Sequence, residues 1–564
     1  PRGTTVTVSG KVQYKDSSDN NHPVRLAKVE ILNVKNGANT VIGRGYTGLD
    51  GAYSVRATSS VTGPDIQVRV YSAITQNQIA TVGPDKNQAY YMSSSVRSNH
   101  TAATLSISLR TDKPVRGSAS DSSSARVFSV LDAMLQVAAE SYALRGNNLM
   151  PLLYVVYPDS GSFYRPSAGS IHLLRFDALD WDVIFHEYGH FLANKGSSTK
   201  FDNSPGGSHS GGTTIPAHGK DKGVRLAWSE GFATWFAIIA QVQPAQTLLG
   251  LPGVPNSGNR FYQDTEDANL KDDLETPTRS HGYASENSIM GLLYDLCDRN
   301  VDQSSKGLSQ DYVSVSSKVI WGILNSGAWD NVGKFYNRVC GIIGMDIPAL
   351  FRVSQVFAMN NIGPELKAPA EGDIVSSSVS PQFSWLPNGD PTAGYAHNRF
   401  ALIIANRNFT ELLAFQDDIR DTKYTFPQQE WQAIVEHSDD TGTFQWAVIG
   451  YNSVAPRMPP ADGLGGFLSN MQNFKVRAYH IRLRWVPEGS DIDLHLRPPS
   501  GANYSGWRYT GDCAYYNRNP DWGISGDSRD NPYLDRDCTR TGTEENITLD
   551  TVSDPGVYKV LVHY

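Results

Sequence analysis

The segment Trp181-Asp182-Val183-Ile184-Phe185-His186-Glu187-Tyr188-Gly189-His190-Phe191-Leu192 decides the reading of this chain. It contains His-Glu-x-x-His. On a helix, positions i and i+4 share a face about one turn apart, so both imidazoles reach one ion. Glu187 points to the side, where it can touch an ion-bound water without displacing it. Val183, Ile184, Phe185, Phe191 and Leu192 surround the motif, so the helix is expected to be buried. Two histidines and a glutamate on a buried helix need a partner, because unpaired polar groups there are costly. A zinc ion supplies one, since neutral imidazole binds it well and an open position remains for water. The competing reading is a helix with two surface histidines.

The third ligand separates the possibilities. A metzincin would continue with Gly and His where this chain has Ala193 and Gly196. Downstream runs Ala227-Trp228-Ser229-Glu230-Gly231-Phe232-Ala233-Thr234-Trp235-Phe236-Ala237, which resembles the W-L-N-E-G-F-A segment of the aminopeptidase N family of gluzincins. That resemblance implies an α+β zincin core with His186, His190 and Glu230 as ligands. It implies Glu187 as general base in zinc-assisted peptide hydrolysis. Residues 191–229 make the spacing longer than the family's usual one, and include a Gly/Ser-rich stretch carrying His209 and His218. Either histidine as a ligand is a minor alternative. The G-x-M-E-N motif that grips a free amino end is absent, which favours an endopeptidase. Ser280-His281-Gly282-Tyr283-Ala284-Ser285 falls where the family places an oxyanion-stabilising Tyr or His. Tyr283 is preferred and His281 is kept beside it. The plain alternative is a helix start capped by Ser285. Ser170-Ile171-His172-Leu173-Leu174 is placed like the family's edge strand, which could pair with an extended substrate. A plain core strand is the alternative.

Outward from this centre the pattern changes. Residues 1–112 alternate apolar and polar as β-structure. Gly45-Tyr46-Thr47-Gly48-Leu49-Asp50-Gly51-Ala52-Tyr53-Ser54-Val55 reads as strand, turn and strand. It resembles the transthyretin-like sandwich of carboxypeptidase regulatory regions. Helical spacing begins at Val127, Val130, Leu131, Met134 and Leu135. Helices are expected near 179–194, 225–242, 285–298, 311–325 and 329–343 of a central domain at 113–363. Short aromatic strands such as Phe383-Ser384-Trp385 make 364–477 resemble a fibronectin type III-like sandwich. Residues 478–564 resemble a β-sandwich of unknown function common on bacterial surface proteins. The expected architecture is therefore multidomain, an α+β core flanked by all-β sandwiches.

Bulk properties narrow the function. The formal charge is −8 and no basic run occurs, which argues against a nucleic-acid surface. No apolar stretch reaches the roughly 18 residues of a membrane span. The sequence starts at Pro1, which reads as a processed or trimmed secreted chain. Cys513 with Cys538, and Cys297 with Cys340, are candidate disulfides, with inert thiols as the alternative. Asp491, Asp493, Asp527, Asp535 and Asp537 are a candidate calcium group, although no EF-hand pattern is present and solvated turns would explain them. The expected protein is an extracellular zinc endopeptidase acting on protein or peptide substrates, with surface or matrix association through its sandwiches. Two rivals stand beside it. One is an inactive adhesive, scaffold or filament protein retaining the fold; the other is a glycan-binding protein with a protease-like core.

Overall fold

The alternating residues Val6, Val8 and Val12 lie on one long strand, Thr4–Lys15, with their side chains fully buried. In the computed structural model this strand centres a five-stranded sheet, and Lys28–Asn33 and Ile66–Tyr71 centre a four-stranded one. The Gly45–Val55 turn links the strands Thr40–Tyr46 and Ala52–Ser59, which belong to different sheets. The structure describes residues 3–114, 124–199, 201, 204–207, 220–242, 261–263, 271–274, 282–298, 313–328, 331–344, 346–377, 379–388, 397–437, 442–451, 466–477, 479–485, 491–523, 525–526, 530–537, 544–549, 552 and 556–564. The chain is mixed helix and sheet in two compact units, residues 1–302 with 312–339 and residues 303–311 with 340–564.

The boundary expected at residue 112 is crossed by hydrogen bonding. A five-stranded sheet runs in the order Phe163–Arg165, Ser170–Leu174, Leu153–Asp159, Ala80–Gly83, Ala73–Ile74. Its last two strands come from the N-terminal region. Ala80–Gly83 pairs in parallel with Leu153–Asp159, and parallel pairing requires a long crossover. The intervening chain includes helix α1, Ser124–Leu144. Asp132 of α1 accepts from Tyr14 Oη at 2.6 Å and pairs with the Arg25 guanidinium at 2.5 Å, all of them buried. Among the described residues α1 is the one helix long and apolar enough to cross a membrane, and 78% of its apolar window is buried inside the fold.

Ser170–Leu174, for which an edge strand and a core strand both stood open, is interior to this sheet. Phe163–Arg165 pairs antiparallel with it and forms the edge. Ser170 Oγ, His172 and Asp159 line up at 3.0 and 2.6 Å, but Ser170 is 2% exposed. This relay ties the strand to the last residue of Leu153–Asp159.

In the second unit a six-stranded sheet and a three-stranded sheet enclose Phe383, Trp385, Phe400, Trp446 and Phe474. Helix Ile347–Met359 falls inside the 113–363 domain expected from sequence. It belongs instead to this unit, where Phe351 meets Phe409 and Phe357 meets Phe467. The last β region pairs Asp493–Arg497 with Lys559–His563 beside a three-stranded sheet. The Cys297 thiol accepts from Trp235 Nε1 at 3.4 Å. Burial pushes that thiol up to about 12. Cys513 Sγ donates to the Arg518 carbonyl at 3.4 Å; Cys538 lies outside the described residues.

Candidate metal centre

Asp180 starts the motif helix. Its side chain accepts the Asp182 N–H at 3.2 Å, satisfying one orphan donor of helix α2, Trp181–Phe191. The helix runs on into a π-turn, Leu192–Gly196. Helix α3, Lys220–Val242, crosses α2, and helix α4, Glu286–Asp295, packs on α3. Two glycines permit these approaches. A Cβ at Gly189 would sit 2.9 Å from Ala233 Cα, and one at Gly231 would sit 2.5 Å from Ile289 Cβ. Both lie beside candidate ligands, so the crossings place His190 against Glu230.

Three ligand atoms converge there. His186 Nε2 lies 3.0 Å from Glu230 Oε2, His190 Nε2 lies 3.1 Å from it, and the two Nε2 atoms are 3.2 Å apart. Four-coordinate zinc with bonds of about 2.0–2.1 Å separates its ligand atoms by about 3.3 Å. The triangle has that size. His186 Nδ1 lies 3.1 Å from Thr234 Oγ1, and His190 Nδ1 lies 3.2 Å from Ser229 Oγ. With each Nδ1–H donating to its hydroxyl, both Nε2 atoms carry lone pairs. Two imidazole lone pairs and a carboxylate then face one point, an arrangement that a cation relieves. The donor set fits zinc. Among the described residues no fourth His, Cys, Asp or Glu joins these three within 4.8 Å.

Charge states follow the geometry. Burial opposes ionisation of Glu230, but the adjacent His190 and His186 outweigh it and hold the carboxyl well below its usual range. Burial raises Glu187, against the opposing pull of His186 and His190. Glu187 also accepts from the Tyr164 backbone N–H on the edge strand Phe163–Arg165.

The other expected residues divide. Tyr283 is buried in the turn ahead of α4. His281, His209 and His218 lie outside the described residues. Ser285 is the N-cap of α4, but its side chain makes no capping bond. Of the acidic group, Asp493 and Asp537 come together, with Glu545 as a third member unforeseen in the sequence. Each already has a protein partner: His563 at 3.5 Å, Arg518 at 3.3 Å and the Leu494 N–H at 2.6 Å. Asp491 is exposed and outside that group, though its charge helps raise Asp493; Asp527 lies outside the described residues, as does the side chain of Asp535. Ser229 and Thr234 were missed from sequence. The signal for Thr234 was its i+4 position from Glu230; Ser229 carried none beyond adjacency.

No protein-family model matches this chain, and neither does any curated protein. Among solved structures, a 9R-lipoxygenase from Cyanothece is similar over 26% of this chain and 27% of its own, at 16% identity and a TM-score of 0.15. The chain thus spans about a quarter of that enzyme's length, and so slight a likeness carries no argument about fold or chemistry.

Proposed function

We propose that this chain is a zinc-dependent endopeptidase with a gluzincin-type core, working outside the cell on protein or peptide substrates. The observation supporting this is the convergence of His186 Nε2, His190 Nε2 and Glu230 Oε2 within 3.0–3.2 Å, beside a buried Glu187. His186, His190 and Glu230 would hold the ion, and Ser229 and Thr234 would orient the imidazoles. Zinc, when bound, supplies Lewis acidity toward a carbonyl oxygen and a nucleophilic water at neutral pH. Glu187 takes a proton from the attacking water and delivers it to the leaving amine. The edge strand Phe163–Arg165, next to Glu187, offers the backbone against which an extended substrate would align. Tyr283, or His281, is assigned oxyanion support, a role worth about 3 kcal/mol.

The test is zinc stoichiometry together with cleavage of a denatured protein by wild type and Glu187→Gln. Wild type should hold one zinc and cut, and a chelator should stop it. Glu187→Gln should keep the zinc and lose nearly all turnover. Equal cleavage by the two proteins would end the assignment of Glu187. Zinc bound with no cleavage by wild type would favour the scaffold reading.

A further inference from the structure

The fibronectin-like region carries a groove that the zinc site does not use. Strand Leu412–Ile419 ends the six-stranded sheet and pairs on one side with Arg399–Asn406. Among the described residues its other edge has no strand partner. Exposed sheet edges are normally blunted by charge, proline, β-bulges or a cover, and this strand carries bulges between Leu412 and Ala414 and between Gln416 and Ile419. Here the edge reads Leu412-Leu413-Ala414-Phe415, with Leu412 56% and Phe415 48% exposed. Opposite stands helix α5, Gln428–Glu436, which with His437 presents Glu430, Ala433, Ile434 and His437 at i, i+3, i+4 and i+7. Between them lies a cavity of about 340 Å³ lined also by buried Phe426 and by Glu411. Two carboxylates line it and no Lys or Arg does.

We propose that this groove docks an extended peptide segment, added as a strand along Leu412–Gln416, with an apolar side chain over Ile434 and Lys or Arg beside it facing Glu411 and Glu430. An edge strand facing a helix supplies both requirements of such docking: main-chain hydrogen bonds for affinity and a pocket between strand and helix for alternate side chains. The acidic lining chooses the charge of the occupant. This inference stands whether or not the zinc reading does.

The experiment is selection from a random linear peptide library displayed on phage, against the immobilised full chain. Enriched peptides should alternate apolar residues with Lys or Arg. Their affinity should fall at least about tenfold on Ala433→Arg, which places bulk and positive charge in the groove from an exposed helix position. Gln432→Arg, away from the groove lining, should leave affinity unchanged. Bound peptide should slow amide exchange across Leu412–Gln416. Thermal unfolding of Ala433→Arg checks that the fold is intact. The proposal is overturned if no peptide is enriched, if the enriched peptides lack a basic bias, or if a folded Ala433→Arg binds them as wild type does.

Discussion

Replacing Gly189 by Ala tests whether the helix crossing sets the ligand triangle. The added carbon would lie 2.9 Å from Ala233 Cα, 3.2 Å from its carbonyl oxygen and 3.3 Å from its Cβ. Carbon pairs rest at about 3.5–4.0 Å, so α2 and α3 must separate by about 0.6 Å. Gly189 precedes His190, and Ala233 lies one turn beyond Glu230. The displacement therefore acts on the 3.0 and 3.1 Å separations between Glu230 Oε2 and the two imidazoles. Metal sites tolerate about 0.2 Å in bond length, so the carboxylate loses its hold. Overpacking costs about 1–3 kcal/mol, which as binding energy is a fall of roughly 5- to 150-fold in zinc affinity. Alanine also gains about 1 kcal/mol of helix propensity, so melting temperature is a poor readout. The assay is a competitive zinc titration against a chelating fluorophore, with circular dichroism to confirm folding. Gly322→Ala, where nothing lies within 4 Å, is the control and should bind as wild type. If Gly189→Ala also holds zinc with unchanged affinity, the crossing does not set the triangle and the reasoning fails.

Other consequences can be measured directly. Ser229→Ala and Thr234→Val should each weaken zinc binding about 10- to 100-fold, while Thr234→Ser, which keeps the hydroxyl, should not; equal affinities for all three variants would remove the hydroxyls from the site. Asp132→Ala leaves Arg25 buried without its carboxylate and should cost about 3–5 kcal/mol in denaturant unfolding of the first unit; a loss below about 1 kcal/mol would contradict a central role for this pair. His397, with its Nδ1 2.8 Å from the Pro387 carbonyl oxygen, is depressed by burial from 6.5 to about 4. The unfolded chain therefore binds the extra proton first. Stability present above pH 6.5 should fall by up to about 3 kcal/mol as pH drops toward 4. His397→Gln should flatten that part of the profile, and an unaltered slope would show that other groups set it.

The motif histidines, Glu230 and the main helices were legible because their signals are local. The i, i+4 spacing puts two imidazoles on one face wherever the helix sits, and apolar periodicity marks a buried stripe. Helix Ile347–Met359 belongs to the second unit because Phe351 and Phe357 find their aromatic partners at Phe409 and Phe467. Its periodicity contains no information about those partners. The sequence left Ser170–Leu174 open between edge and core for a related reason. Ser170–Leu174 and Phe163–Arg165 are both short apolar runs, and position in a sheet depends on pairing, not on composition. Glu545 beside Asp493 was equally invisible, since its strand reaches that place only through pairing in the last β region.

Sequence by itself determined the groups on offer: two imidazoles and a carboxylate on one helical turn, and a second carboxylate on a later apolar helix. Only the tertiary structure decided that these groups meet at 3.0–3.2 Å, that hydroxyls from α3 stand within 3.1–3.2 Å of the imidazole Nδ1 atoms, and that strands from residues 73–83 complete the sheet beside them. The physical reason is range. Helical spacing is set by bonds between residues four apart, whereas close approach of two helices depends on which side chains, here the hydrogen of Gly189, stand between distant segments.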